Sequence, residues 1–495
     1  MNIWIVTTGN SDVQLKHDYD KSKWQKRYRD VRNQLSNHLF EPSRPKNART
    51  EEPYTLPARV MGMVYSPNLD DETYQNLYFP LLDTFTKGLQ DKNRPDKIFV
   101  ILTNQENVFS AKDKTDDKCP YWQDTYTLHL ILEKYFQKVF PELKSNEDIK
   151  YLELKPDSKE QGLDNWEKCL ILVRQEIYSL PINKNTNISV SHQAGTPAIS
   201  SAVQFTTLAK FDKQVKFLVS NEYQQGNPID IPSSNYLKGI KLQEAKALLE
   251  RYDYSGVQEI LTNIWENKEE PLSSQEQRIN ELLTIAISWN CAKFDDFAKY
   301  RGKIAEERIK QWWWMGYEAA YLAVIRLKQG NNVESLFHSF RALEGTLSKW
   351  VQTHYQHHMI LVKKDESPKI KDSIFNEISL PKKFEFKGTK HLYGEFIYQI
   401  FKQSYPQSQA NPHICQQVWN HVRDERNNLF HQLLGLAKEQ VFQAWDTNEN
   451  DWETRVLSCL NFVSGEKFTS LKEASLMYDV EQELQVAISN YELKT

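Results

Sequence analysis

No stretch of this 495-residue chain approaches the roughly 18 consecutive apolar residues of a membrane-spanning helix. The opening Met-Asn-Ile-Trp-Ile-Val carries no basic leader, and its apolar run is too short for a signal peptide. Cysteine is scarce. Cys119, Cys169, Cys291, Cys415 and Cys459 are scattered, odd in number and without Cys-x-x-Cys spacing. That pattern argues against a disulfide framework and against a zinc site, and it suits a reducing cytosol. Charge of one sign is also missing: 62 Lys and Arg against 66 Asp and Glu leave a net −4. Any nucleic acid would therefore meet a local basic patch rather than a polycation. Neither Gly-x-Gly-x-x-Gly nor a Walker stretch is present, which disfavours a metabolic Rossmann enzyme. These absences predict a soluble cytoplasmic protein, and the length predicts two or three domains.

What is there divides the chain in half. In the first half short apolar runs alternate with amphipathic stretches. Strands are expected over 3–7, 97–103, 149–154, 187–191 and 215–220, and helices over 71–90, 121–140, 163–180 and 196–210. Such alternation predicts a mostly parallel sheet with helices on both faces, a Rossmann-like α/β domain. Residues 14–67 fall outside it; they are polar, basic and proline-rich, and read as an insertion after the first strand. Residues 224–234 hold one glycine, two prolines and two serines and read as a linker. Beyond them the sequence offers no convincing strand. Helices are expected over 242–252, 257–265, 312–328, 334–355, 416–434 and 451–463, so the second half reads as an all-α bundle. The expected domains are 1–235, a helical linker 236–305, and 306–495.

In open parallel sheets ligands sit beyond the carboxyl ends of the strands. Two such loops stand out. The first strand runs into Thr8-Gly9-Asn10-Ser11-Asp12, and a later one into His192-Gln193-Ala194-Gly195-Thr196-Pro197. Gly195 lets backbone N–H groups approach a ligand, Thr196 suits an N-cap, and Pro197 suits the first helical position. A helix start of this kind offers free N–H groups to a phosphate or ribose. It also serves as an ordinary strand-to-helix turn, and His192 reads equally well as a structural histidine.

The chemical candidate of the second half is Arg423-Asp-Glu-Arg-Asn-Asn-Leu-Phe-His431. On a helix Asn427 and His431, four apart, project from one face, and Arg426 reaches round from one position earlier. RNA cleavage without metal needs a proton taken from the 2′-hydroxyl, a stabilised phosphorane, and a proton given to the 5′-oxygen. His431 titrates in the right range to move the proton, Arg426 offers paired donors to phosphate oxygens, and Asn427 can orient either partner. Spacing alone is weak: Arg32-Asn33 with His38 has the same form, and a solvated helix face would too.

Read together, the two halves resemble a known family. Residues 187–201, with Ala-Gly-Thr-Pro-Ala after a strand, resemble the nucleotide-sensing CARF domain. Arg426-Asn-Asn-Leu-Phe-His431 resembles the Arg-x4-6-His signature of HEPN ribonucleases, and Phe340-Arg-Ala-Leu-Glu344 resembles an early helix of that bundle. Order and length are similar to the CARF–HEPN ribonuclease effectors of type III CRISPR systems, over nearly the whole chain apart from the insertion.

The resemblance implies a homodimer in antiviral defence. Two CARF domains would bind cyclic oligoadenylate, tetra- or hexa-adenylate, as activator. Two HEPN domains would then pair Arg426 and His431 of each chain into one composite site. That site would cut single-stranded RNA without a metal or cofactor and leave 2′,3′-cyclic phosphate ends. Carried over by position, the ring-binding residues are Thr8, Gly9, Asn10, Ser11, Gly195 and Thr196. Some members carry lysine after the Gly-Thr pair where this chain has Pro197, which shifts weight to backbone donors. Some also cleave the ring in the CARF pocket; Thr8, Asn10 and Thr196 are the groups that would hold it for in-line attack. Two alternatives stand beside this reading: a ring-cleaving enzyme, and a sensor with an inactive HEPN bundle. The lysine-rich stretch 363–390 reads as an RNA guide or a solvated loop, and Trp312-Trp313-Trp314 as core or dimer interface.

Overall fold

A computed structural model describes the chain apart from residues 36–37, 45–50, 91–92, 221–227, 266–270, 302–304, 361–366, 406–412, 433–434 and 494–495. The chain divides into two compact units, Met1–Lys238 and Gly239–Thr495.

The first unit contains strands β1 (Asn2–Thr7), β2 (Gln14–Leu15), β3 (Leu77–Tyr78), β4 (Lys97–Thr103), β5 (Ile149–Leu154), β6 (Asn187–Ser191), β7 (Val215–Val219) and β8 (Ile229–Pro232). Six of them form one sheet in the order β5-β4-β1-β6-β7-β8. All neighbours are parallel except β7 and β8. β1 is central, which explains its unbroken apolar run: a parallel strand is buried on both faces. Its side chains alternate between two cores. Trp4 and Val6, with Ile98, Val100 and Leu102, pack one face against the helices Ala58–Tyr65, Pro80–Leu89 and His129–Val139. Ile3 and Ile5, with Phe99 and Ile101, pack the other against Trp166–Ser179 and Pro197–Phe211. Each fully buried side chain of this size contributes roughly 1.5–3 kcal/mol of transfer free energy.

Several expectations need correction. The helix expected over 71–90 is broken into Asp71–Tyr74, β3 and Pro80–Leu89. Pro80 lacks an N–H and clashes with the preceding turn, so it can only begin a helix. The helix expected over 121–140 is two 3-10 turns followed by His129–Val139, because Asp124 leaves the helical path with an extended backbone. Part of the expected linker is β8, an antiparallel edge strand on β7. From the segment 14–67, the described residues Leu15, Trp24, Leu35, Leu56, Val60, Met61 and Tyr65 all join the first core. His38 of the Arg32–His38 pattern is held there between Phe40 and Trp122, at ring-centroid distances of 5.5 and 5.9 Å.

The second unit is mostly helical and shares one hydrophobic core from Leu242 to Tyr491. The helices across 236–305, expected as a linker, contribute Leu242, Val257, Leu283 and Trp289 to that same core. Its buried carboxylates are satisfied. Glu318 accepts from Trp289 Nε1, Ser475 Oγ and the Leu476 amide at 2.8, 2.7 and 2.6 Å, and burial pushes its carboxyl above the usual range. Trp313 and Trp314 are buried in the core, with Trp312 packed partly against it. Strands do occur here, against expectation: β9 (Met359–Ile360), β10 (Lys369–Lys371) and β11 (Thr389–His391) form a three-stranded antiparallel sheet. Ile370 is buried between exposed or half-buried lysines, a period-two pattern too short to register in the sequence. Among the described residues no helix is long and apolar enough to cross a membrane.

Candidate functional site

The strand order reverses direction at β1. From β1 the chain builds outward through β4 and β5 on one side, then through β6 and β7 on the other. The crevice at such a switch lies beyond the carboxyl ends of β1 and β6, where loops diverge to opposite faces. Those are the two loops singled out above. They touch through backbone: a Cβ on Gly9 would lie 2.7 Å from the Gly195 nitrogen. Gly195 itself has φ +91°, a region costly for any side chain.

Each predicted residue of the two loops has a definite place. Thr8 is buried; its hydroxyl donates to the Ile101 carbonyl at 2.8 Å and lies 2.8 Å from Thr125 Oγ1. It therefore shapes the loop from within rather than facing the crevice. Asn10 Oδ1 accepts the Ala58 amide at 2.7 Å and so caps the helix Ala58–Tyr65. Ser11 is exposed. Thr196 is the N-cap of Pro197–Phe211: its Oγ1 accepts the Ile199 amide and donates to the Leu163 carbonyl, both at 3.3 Å. Pro197 occupies the first turn, as its missing N–H allows. His192 is packed rather than poised: Nδ1 pairs with Ser200 Oγ at 2.9 Å, the ring meets Phe217 edge-on, and burial lowers its pKa.

Sequence reasoning missed several groups around these loops. Asp12 is fully buried, accepts the Gly9 amide at 2.7 Å, and is pushed up to about 7 by desolvation, which that hydrogen bond partly offsets. Gln193 clamps the end of β7, donating to the Ser220 carbonyl at 3.0 Å and accepting its amide at 2.5 Å. Beyond β4, Arg59 meets Asp124 Oδ2 and Asn104 Oδ1 at 2.9 Å each, all buried. Asp124 also accepts the Gln105 amide at 2.8 Å; burial raises its pKa, opposed by Arg59. No local sequence signal marks Arg59 and Asp124 as partners, since they meet only through the fold. Asp12, three residues after Gly9, was legible as a turn residue but not as a buried acid.

In the second unit the motif lies on the helix His413–Gln432. Cys415, Val418, Trp419 and Val422 recur at helical spacing and are buried. Trp419 anchors the helix. Its ring stacks on Tyr398 at 5.4 Å, meets Phe340 at 5.4 Å, and its Nε1 donates to Glu395 at 3.0 Å. Arg423 also pairs with Glu395. Glu344, of the expected early-helix motif, accepts the Gly394 amide at 2.8 Å. The backbone places Asn427 and His431 four residues apart on this helix, with Arg426 one before Asn427; Asn427 is exposed. The side chains of Arg426 and His431 lie outside the described residues.

No protein-family model matches the sequence, and no curated protein does. Among solved structures it is similar to Enterococcus italicus Csm6 bound to cyclic hexa-2′-fluoro-hexa-dAMP. The identity is 14%, the TM-score 0.55, and the match covers 98% of this chain and 100% of that one. This chain has a Csm6-like fold. The expected order, a mostly parallel sheet flanked by helices followed by a helical unit, is that of the Csm6-like fold, with the small β9–β11 sheet the departure from an all-α second half.

Proposed function

We propose that this protein is a CRISPR-associated ribonuclease switched on by cyclic oligoadenylate. The observation that carries the reading is the backbone contact of Gly9 with Gly195 at the switch point of a Csm6-like fold. That contact sets two glycine loops and the start of the 15-residue helix Pro197–Phe211 beside one crevice. Free N–H groups there suit the phosphates of a cyclic nucleotide, and the helix dipole adds to them. The Csm6 structure it resembles holds such a ring.

The proposed assembly is a homodimer, whose two-fold axis suits a ring with its own symmetry. Exposed apolar residues support it: Trp166 at 59% and Phe205 at 64% exposure lie on two helices that pack together, with Leu170 and Ile171 also exposed. Gating then requires that the ring bind the active arrangement more tightly than the inactive one.

In the second unit, Arg426 and His431 of both chains form the proposed cutting centre. His431 takes the proton of the RNA 2′-hydroxyl, whose oxygen attacks the adjacent phosphorus. Arg426 donates to the phosphorane oxygens, and Asn427 orients its neighbours. The partner's His431 returns a proton to the departing 5′-oxygen, leaving a 2′,3′-cyclic phosphate. In the test, purified protein is given single-stranded RNA with rings of three to six adenylates. Cutting is expected only with one ring size, and His431→Ala is expected to abolish cutting while ring binding persists. RNA cutting that survives in His431→Ala would overturn the site. A ring-cleaving role finds less support, since the Thr8 and Thr196 hydroxyls and the Asn10 side-chain oxygen are already engaged in holding the loops.

A further inference from the structure

The small sheet of the second unit does more than cover the core. The helix Asn332–His354 ends in a 3-10 turn, Gln356–His358, that leads directly into β9. Antiparallel pairing of β9 with β10, Ile360 with Lys369 and Met359 with Ile370, lays this turn beside the one that follows β10, Asp372–Asn376. Glu377 comes next in the chain. Pairing thus brings together residues about twenty positions apart.

Neighbouring residues on a 3-10 turn ordinarily point about a third of a turn apart. His357 and His358 converge instead, with ring centroids 4.1 Å apart. Both Nε2 atoms face a single oxygen, Glu377 Oε1, at 2.5 and 2.9 Å. His358 is buried, and its other nitrogen, Nδ1, lies 2.7 Å from Ser373 Oγ. Nε2–H donates to Glu377 in the metal-free chain; when a metal displaces that proton, Nδ1–H donating to the Ser373 hydroxyl leaves the Nε2 lone pair for the space shared with His357 and Glu377. Metal-bound histidines are usually fixed in this way by a hydrogen bond from the second nitrogen.

We propose that His357, His358 and Glu377 form a binding site for a divalent transition metal of the zinc class, with Ser373 as the positioning residue. The three donor atoms lie within 4.8 Å of one another. Tetrahedral zinc, with bonds of roughly 2.0–2.2 Å, separates its donors by about 3.3 Å. The histidine–glutamate contacts must therefore open by less than about 1 Å to admit it. The two groups that must move are the exposed ones: the His357 and Glu377 side chains are 59% and 43% exposed, against 8% for His358. Two imidazoles and one carboxylate leave a fourth position for water. Imidazole donors favour zinc, nickel or copper over magnesium or calcium. Cysteine spacing is silent on this site, whose donors are nitrogen and oxygen. The metal would tie the end of the long helix to the β9–β11 sheet, independently of the proposed ribonuclease centre.

The test uses the full chain carrying Cys291→Ser, which removes the exposed thiol as a competing ligand. Chelator-stripped protein is titrated with Zn2+ by calorimetry and with Co2+ by visible absorption. One ion per chain is expected, with a tetrahedral Co2+ band. His357→Ala and Glu377→Gln should each weaken binding tenfold or more, and Ser373→Ala roughly 10- to 100-fold. His357 and Glu377 are exposed, so metal-free melting of their variants should match the parent. No stoichiometric uptake, or an affinity unchanged in both His357→Ala and Glu377→Gln, overturns the site.

Discussion

Gly9→Ala is the sharpest test of the crevice. The added methyl would lie 2.7 Å from the Gly195 nitrogen, 3.5 Å from its Cα and 3.6 Å from the Ala194 carbonyl carbon. Ordinary contact begins near 3.4 Å, so one loop must retreat by about 0.7 Å (3.4 − 2.7). The obstacle is backbone rather than a flexible side chain, so it cannot rotate away. Gly9 has no left-handed φ of its own, so the effect is contact alone. Overpacking of this kind costs about 1–3 kcal/mol. If that cost falls on the paired-loop arrangement, affinity for the proposed ring ligand drops roughly 5- to 150-fold. Gly195→Ala is the complementary case. Its Cβ would meet Ile199 at an ordinary 3.6 Å, but φ +91° strains any residue other than glycine; strain there costs roughly 1–3 kcal/mol. Calorimetry with cyclic tetra- and hexa-adenylate, alongside denaturant unfolding, reads both effects. Parental ring affinity and parental stability in Gly9→Ala would refute the claim that the two loops form one site through backbone contact.

Three further outcomes are expected. Burial raises the Asp12 carboxyl from 3.8 to about 7, so the folded chain holds this proton more tightly than the unfolded one. Its stabilising term is full below about pH 4 and is lost as pH rises through 7, about 4 kcal/mol at most. Asp12→Asn should flatten this loss between pH 4 and pH 7 in urea unfolding; parallel curves would refute it. Arg59→Ala leaves Asp124 buried without its cation and should cost about 3–5 kcal/mol, partly recovered by adding Asp124→Asn. Equal stability of Arg59→Ala and parent would refute the buried pair. Trp419→Ala removes a fully buried ring and its bond to Glu395. A loss of about 3–5 kcal/mol is expected, with faster amide exchange along His413–Gln432.

Much of the architecture was legible before any coordinates. β1 and β4 fall where unbroken apolar runs placed them, because a strand buried on both faces must be apolar; β5 and β6 also lie where expected, though their apolar residues are interrupted by polar ones. The Thr196-Pro197 helix start was legible for a local reason too: capping is settled by residues within one turn. Elements broken by a single residue were harder. Pro80 and Asp124 each interrupt a stretch whose apolar spacing alone reads as one helix.

By itself, then, the sequence determined whatever depends on neighbours in the chain: the strand–helix alternation, the two glycine loops, and the helical spacing of Asn427 and His431. Only the tertiary structure decided which polar groups face a site and which hold it in place. Thr8 and Asn10 look alike as loop residues, yet one is sealed against Ile101 and Thr125 and the other caps a helix that begins 48 residues later. Arg59 with Asp124, and His358 with Glu377, acquire partners only when the sheets bring distant segments together. Burial and partner choice depend on three-dimensional neighbours, which no local pattern encodes. For the same reason the buried acid at Asp12 is a property of the fold and not of the loop.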